Sequence, residues 1–166
     1  MKNTYLVPDL LADNLKLVFC GTAPSTASAQ AKAYYAKPGN QFWQALARVK
    51  LTPQQFTPQE YPKLLALSIG LTDLCKTESG NDDELPAKAI DCDALEKKII
   101  RYQPKILAFT SKNGAQLYLK HKVEYGLQSE TIGKTKIFVC CSTSGRARRF
   151  WREEVWQELA LLFLGK

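Results

Sequence analysis

Leu15 to Gly21 reads LKLVFCG, a short apolar run closed by a glycine. Its length and flanking punctuation are those of a buried strand. Pro104 to Ser111 (PKILAFTS) and Lys136 to Cys141 (KIFVCC) repeat the pattern, and Ile69 to Leu74 adds a short extended piece. Segments with helical spacing lie between them. Phe42 to Val49 presents Phe42, Trp43, Leu46 and Val49. Pro58 to Leu67 presents Tyr61, Leu64, Leu65 and Leu67, with Pro62 in its first turns. Asp93, with Glu96 three residues on, is a candidate N-cap for a helix running to Tyr102. Lys112 to His121 is a looser helical stretch. Phe150 to Leu164 is a closing helix, with Trp151, Val155, Trp156, Leu159, Leu162 and Phe163 on one stripe. Thr22 to Asn40 and Glu78 to Ala87 read as loops, the first with room for a helical turn.

Strands separated by helices predict a single α/β domain over residues 1–166, with a central, mainly parallel sheet and helices on both faces. Sites in such sheets form beyond the carboxyl ends of the strands. That singles out the loops after Gly21, after Leu74 and after Cys141.

Composition narrows the function. The chain has 166 residues, 45% of them apolar, which is too hydrophobic for general disorder. No apolar run has the length of a membrane span. Met1 to Asp13 lacks the apolar stretch and cleavage site of a secretion signal, so a cytoplasmic protein is expected. Lys and Arg number 23 against 16 Asp and Glu, a net charge of +7. A basic soluble domain suits a polyanion such as DNA or RNA. The five cysteines are odd in number, irregularly spaced and contain no CxxC pair. This argues against a disulfide framework and against a zinc or iron–sulfur site. His121 is the single histidine, and nothing near Ser25 completes a Ser-His-Asp arrangement. No metal and no cofactor are expected.

Four segments carry a more specific signal. Gly21-Thr22-Ala23-Pro24-Ser25 follows the first strand and is neither a P-loop nor a dinucleotide fingerprint. Fourteen residues beyond Gly21 comes Tyr35-Ala36-Lys37-Pro38-Gly39-Asn40-Gln41-Phe42-Trp43. Gly70-Leu71-Thr72-Asp73-Leu74 and Val139-Cys140-Cys141-Ser142-Thr143-Ser144-Gly145 complete the set. In order and spacing, these resemble the motifs of the mismatch-specific uracil-DNA glycosylases, a branch of the uracil-DNA glycosylase superfamily. The resemblance runs from about Leu10 to Trp156.

The resemblance implies a monomeric enzyme that flips a base out of double-stranded DNA containing uracil or a mismatch and hydrolyses its N-glycosidic bond. Such chemistry needs a stacking surface, donors for the base and an acceptor that activates water. By the resemblance, Tyr35 is the stacking ring, and backbone N–H groups near Thr22 and Tyr35 face the base. Asn40 is a base-binding candidate whose simpler role is to cap the helix that begins at Gln41 or Phe42. Ser142 takes the place of the family's asparagine in the third motif.

The main departure is Ala23, where the family carries the asparagine that positions water. Alanine can do no such work, so another residue must supply it. Asp73 and Asp82 are the candidates, with Asp83 beside them. Ser144, Gly145, Arg146, Arg148 and Arg149 form the expected DNA-binding loop, with Arg146 at the family's wedge position. Arg148 and Arg149 would sit at the start of the closing helix, where the dipole disfavours cations, and so favour a phosphate partner. Lys37, Lys112 and Asn113 are further phosphate candidates. The reading that follows is a monofunctional glycosylase removing uracil from G:U mismatches. Its alternatives are a glycosylase for another deaminated base such as hypoxanthine, and a non-catalytic binder of damaged or abasic DNA.

Overall fold

The protein is described by a computed structural model over residues 5–166. Its sheet has the order β2-β1-β3-β5-β4. The strands are β1 Leu17–Gly21, β2 Ile69–Asp73, β3 Ile106–Phe109, β4 Gly126–Ile132 and β5 Thr135–Val139. β1 pairs in parallel with β2 and β3, and β3 with β5. β4 joins β5 antiparallel at one edge. The helices are α1 Thr26–Ala31, α2 Phe42–Arg48, α3 Cys92–Tyr102, α4 Lys112–Leu119 and α5 Glu153–Phe163.

Strand side chains alternate faces, and the parallel strands are buried on both. Leu17 and Phe19 face one core, with α2 and α5; Val18 and Cys20 face the other, with α3 and α4. On the first face Phe19 stacks on Trp156 (centroids 5.6 Å apart) and meets Phe42 edge-on at 5.1 Å. Each such aromatic pair adds about 0.5–1.5 kcal/mol beyond its buried area. The α/β architecture with helices on both faces is therefore the one expected.

Several details differ. Strand β4 (GLQSETI) has no counterpart among the sequence-predicted elements, because its edge position leaves alternate residues polar and exposed. Pro58–Leu67 is a 3₁₀ helix with Pro62 inside it, not a regular α-helix. The cap of α3 is Asp91, whose side chain accepts from the Ala94 N–H, and Asp93 lies inside the first turn. The closing helix starts at Glu153. Gly145–Phe150 forms a separate 3₁₀ turn before it, with Arg148 and Arg149 in that turn's last residues. Those two arginines therefore do not oppose the dipole of α5, since the C-terminal end of a turn favours cations. The stripe on α5 holds: Val155, Trp156 and Leu159 are buried, with Trp151, Leu162 and Phe163 packed against them.

The N-terminal segment extends the sheet by a short antiparallel bridge, Leu10 to Leu71. All five cysteines are free thiols.

Candidate active site

The parallel register brings the carboxyl ends of the strands level. Gly21 at the end of β1 stands opposite Asp73 at the end of β2. Above them, where β1 lies between β2 and β3 and the strand order reverses, opens a cavity of about 580 Å³. Its walls come from five loops: Gly21 to Ser25 after β1, Tyr35 to Asn40 before α2, Gly80 to Asp83, Thr110 to Asn113 after β3, and Ser142 to Arg146 after β5. The loop after β3 is a fourth wall beyond the three that the sequence singles out, although it ends a strand of the same kind.

Asp73 lies on the cavity floor and is 5% exposed. Its Oδ2 is sealed from solvent with no hydrogen-bond partner among the described residues. Burial pushes its carboxyl up to about 7, against the opposing pull of the Lys76 ammonium. The first-strand glycine makes room for it: a Cβ on Gly21 would stand 2.5 Å from Asp73 Oδ1 and 3.2 Å from the Tyr35 hydroxyl oxygen. Tyr35 has a left-handed backbone (φ 53°), which turns its ring onto Phe42, with centroids 3.9 Å apart and planes 19° apart. Its hydroxyl donates to Thr110 Oγ1 at 3.4 Å. Burial and the neighbouring Asp73 charge push this phenol well up, so it stays neutral.

Asp82 stands at the exposed rim. Its Oδ2 accepts from Asn113 Nδ2 at 2.5 Å and from Thr22 Oγ1 at 3.4 Å, tying three loops together. Asp83 is exposed beside it. Asn40 Oδ1 accepts from the Phe42 N–H at 2.9 Å, although the N-cap of α2 is Gln41, one residue on, and Asn40 also lines the cavity. Thr22 and Ala23 line it too, with Ala23 offering no polar side chain. The Ala36 N–H is occupied by Ser28 Oγ at 2.9 Å.

In the loop after β5, Ser142 Oγ accepts from the Ser144 N–H, and Ser144 Oγ caps the 3₁₀ turn through the Arg146 N–H. Arg146 lines the cavity. Arg148 reaches back to the Gly39 carbonyl at 3.4 Å. Arg149 lies over the Phe150 ring and borders a smaller notch with Lys112, Tyr125 and Arg152. Gly145 fits closely against the second loop, where a Cβ would stand 3.3 Å from the Gly39 carbonyl oxygen. Phe150 lines the cavity mouth and is 54% exposed. The sequence places it only at the start of the closing helix; its one signal for the site is its place directly after the arginines.

The family model of the Uracil DNA glycosylase superfamily matches residues 8–160. The chain belongs to the uracil-DNA glycosylase superfamily. The fold agrees. A solution structure of a protein from Methanosarcina acetivorans, provisionally assigned as a uracil DNA glycosylase, superposes with a TM-score of 0.62. It is 21% identical, over 95% of this chain and 96% of that one. Membership in the uracil-DNA glycosylase superfamily supports a DNA repair glycosylase, a hydrolase with DNA as its substrate. The cavity lies at the carboxyl ends of the strands, where sites form in sheets of this kind. No group of metal-holding side chains occurs among the described residues, and no helix there is long and apolar enough to cross a membrane.

Proposed function

We propose that this superfamily member is a monofunctional glycosylase that removes uracil from double-stranded DNA, G:U mispairs foremost, with Asp73 as the water activator. The observation that carries the reading is the Asp73 carboxyl on the cavity floor, with its Oδ1 next to Gly21 and the Tyr35 hydroxyl. Ala23 offers nothing there, and Asp82 is at the rim with its Oδ2 already holding two donors.

The chemistry follows from the positions. The flipped base rests on the face of Tyr35 opposite Phe42, with Thr22, Ala23, Asn40 and Ser142 around its edge. The C1′–N bond breaks with its electron pair leaving on the base, and the sugar becomes an oxocarbenium ion. Water adds to C1′ and gives its proton to Asp73. The ionised carboxylate also stabilises the cation. Asp82 acts as a latch that holds the Gly80–Asp83 loop against Thr22 and Asn113. Ser144, Gly145, Arg146, Arg148 and Arg149 take the DNA backbone, and Phe150 joins Arg146 as a candidate to fill the gap left by the flipped nucleotide.

The test is single-turnover excision from a labelled duplex with one G:U pair. Asp73→Asn should lower the rate by about 10²–10⁴-fold, and Asp82→Ala by much less. Borohydride should trap no protein–DNA adduct. Absence of product with wild type in excess, on a duplex it binds tightly, would move the reading to another deaminated base such as hypoxanthine, or to a non-catalytic binder.

A further inference from the structure

Behind Asp73, away from the cavity, lies a buried cluster of charges that the reaction scheme above does not use. Lys76 is 6% exposed. Its ammonium lies 3.0 Å from Asp9 Oδ1 and 3.7 Å from the unpartnered Asp73 Oδ2. It donates to the Tyr34 hydroxyl oxygen at 3.0 Å, and that hydroxyl donates onward to the Pro8 carbonyl at 2.8 Å. Asp9 is held in turn by Thr72 Oγ1 at 2.7 Å and by the Lys98 ammonium from α3, also at 2.7 Å. The N-terminal segment is fixed there by the Leu10–Leu71 bridge and by the Leu6 N–H on the Lys76 carbonyl.

The charges count to a definite answer. Asp9 and Asp73 are two carboxyls; Lys76 and Lys98 are two ammoniums. The cluster is neutral only when Asp73 is ionised, and buried charges are tolerated when they are paired. The other titratable groups around Asp73 are Cys20 from β1 and the phenols of Tyr34 and Tyr35, and burial keeps all three neutral. Asp9 is held charged by its two lysines, and Lys98 by Asp9.

We propose that Lys76 is a positioning residue for catalysis: anchored by Asp9 and Tyr34, its ammonium is the buried countercharge that favours the Asp73 carboxylate against its burial and fixes the direction of its side chain. The inference rests on Asp73 being the water activator. It adds that the N-terminal segment, through Asp9, is part of the catalytic apparatus although it does not line the cavity.

Two partners of opposite charge act on one carboxyl, so their removal must act in opposite directions. Lys76→Met should raise the Asp73 midpoint by about one pH unit or more, and Asp9→Asn should lower it. Lys76→Arg should restore the wild-type value. Carbon-13 NMR of the Asp73 carboxyl in the full-length protein reads this without substrate. Single-turnover excision of uracil from a G:U duplex across pH 5.5–9 reads its catalytic consequence. The expected result is a rate limb that follows the NMR midpoint in each variant. An unmoved midpoint in folded Lys76→Met, or shifts of the same sign in Lys76→Met and Asp9→Asn, would overturn the proposal. NMR midpoints that move while the rate limb stays fixed would overturn Asp73 as the water activator, and Lys76's catalytic role with it. If Lys76→Met does not fold, Asp9→Asn and Lys76→Arg decide alone: a lowered midpoint in the first and an unchanged one in the second are required.

Discussion

The Tyr35 ring lies almost flat on the Phe42 ring, 3.9 Å between centroids. A ring backed on one side is held still and leaves its other face to the cavity it lines. Stacking, not the hydroxyl, should therefore dominate its contribution. Tyr35→Phe loses only the 3.4 Å contact with Thr110 and should bind a uracil-containing duplex within about threefold of wild type. Tyr35→Ala should weaken that binding by about 1–3 kcal/mol. Fluorescence anisotropy in an Asp73→Asn background separates binding from cleavage.

Gly21 is fixed by its neighbour across the sheet rather than by its own backbone. The Cβ of Gly21→Ala would collide with Asp73 Oδ1, and either the carboxyl or β1 must move. The strain should cost about 1–3 kcal/mol of stability. Excision should fall at least as far as in Asp73→Asn relative to binding of undamaged duplex, which should not change. Thermal melts and paired rate and affinity measurements check both halves.

The raised Asp73 carboxyl has a consequence for stability. Between its ordinary value of 3.8 and about 7, the folded chain holds a proton that the unfolded chain has released. Its stabilising contribution is complete below the lower value and is lost as pH rises through the upper one. Tm should decline over that window in the wild type. In Asp73→Asn this part of the decline should vanish. A wild-type and variant difference that does not change between pH 4 and 8 would contradict the buried, raised carboxyl.

The arginines after β5 should register as salt dependence. If Arg146 and Arg148 each neutralise a phosphate, replacing either with Ala should reduce the slope of log Kd against log salt by about one. Phe150→Ala should leave the slope alone while weakening damaged duplex more than intact duplex. Titrations at three or more salt concentrations distinguish the two kinds of contact.

Much of this architecture was legible because the buried parallel strands are continuous apolar runs. LVFCG, ILAF and KIFV need both faces covered, and their glycines, prolines and polar ends mark where they stop. Strand β4 escaped because an edge strand with one solvated side carries no such run. The break between the 3₁₀ turn and α5 escaped for a different reason: Phe150 and Trp151 continue the apolar spacing across it. In the site, Tyr35, Asp73 and Ser142 could be placed because each sits in a segment next to a strand end. Lys76 and Asp9 could not, since their meeting depends on the N-terminal segment pairing with β2, a contact 61 residues long in the chain at Leu10 and Leu71. Nor could a sequence distinguish a rim carboxylate already bonded to Thr22 and Asn113 from one left unpartnered on the floor.

The stacking loop and the arginine loop are joined at their bases. The Gln41 N–H donates to the Thr143 carbonyl at 2.9 Å, Arg148 reaches the Gly39 carbonyl, and Gly145 is small enough to let the two backbones touch. Neither loop can swing away without breaking these bonds or carrying the other with it. On the proposed function, grip on the phosphates and grip on an extruded base would thereby be one mechanical event, and a nucleotide let go by one loop would be let go by both.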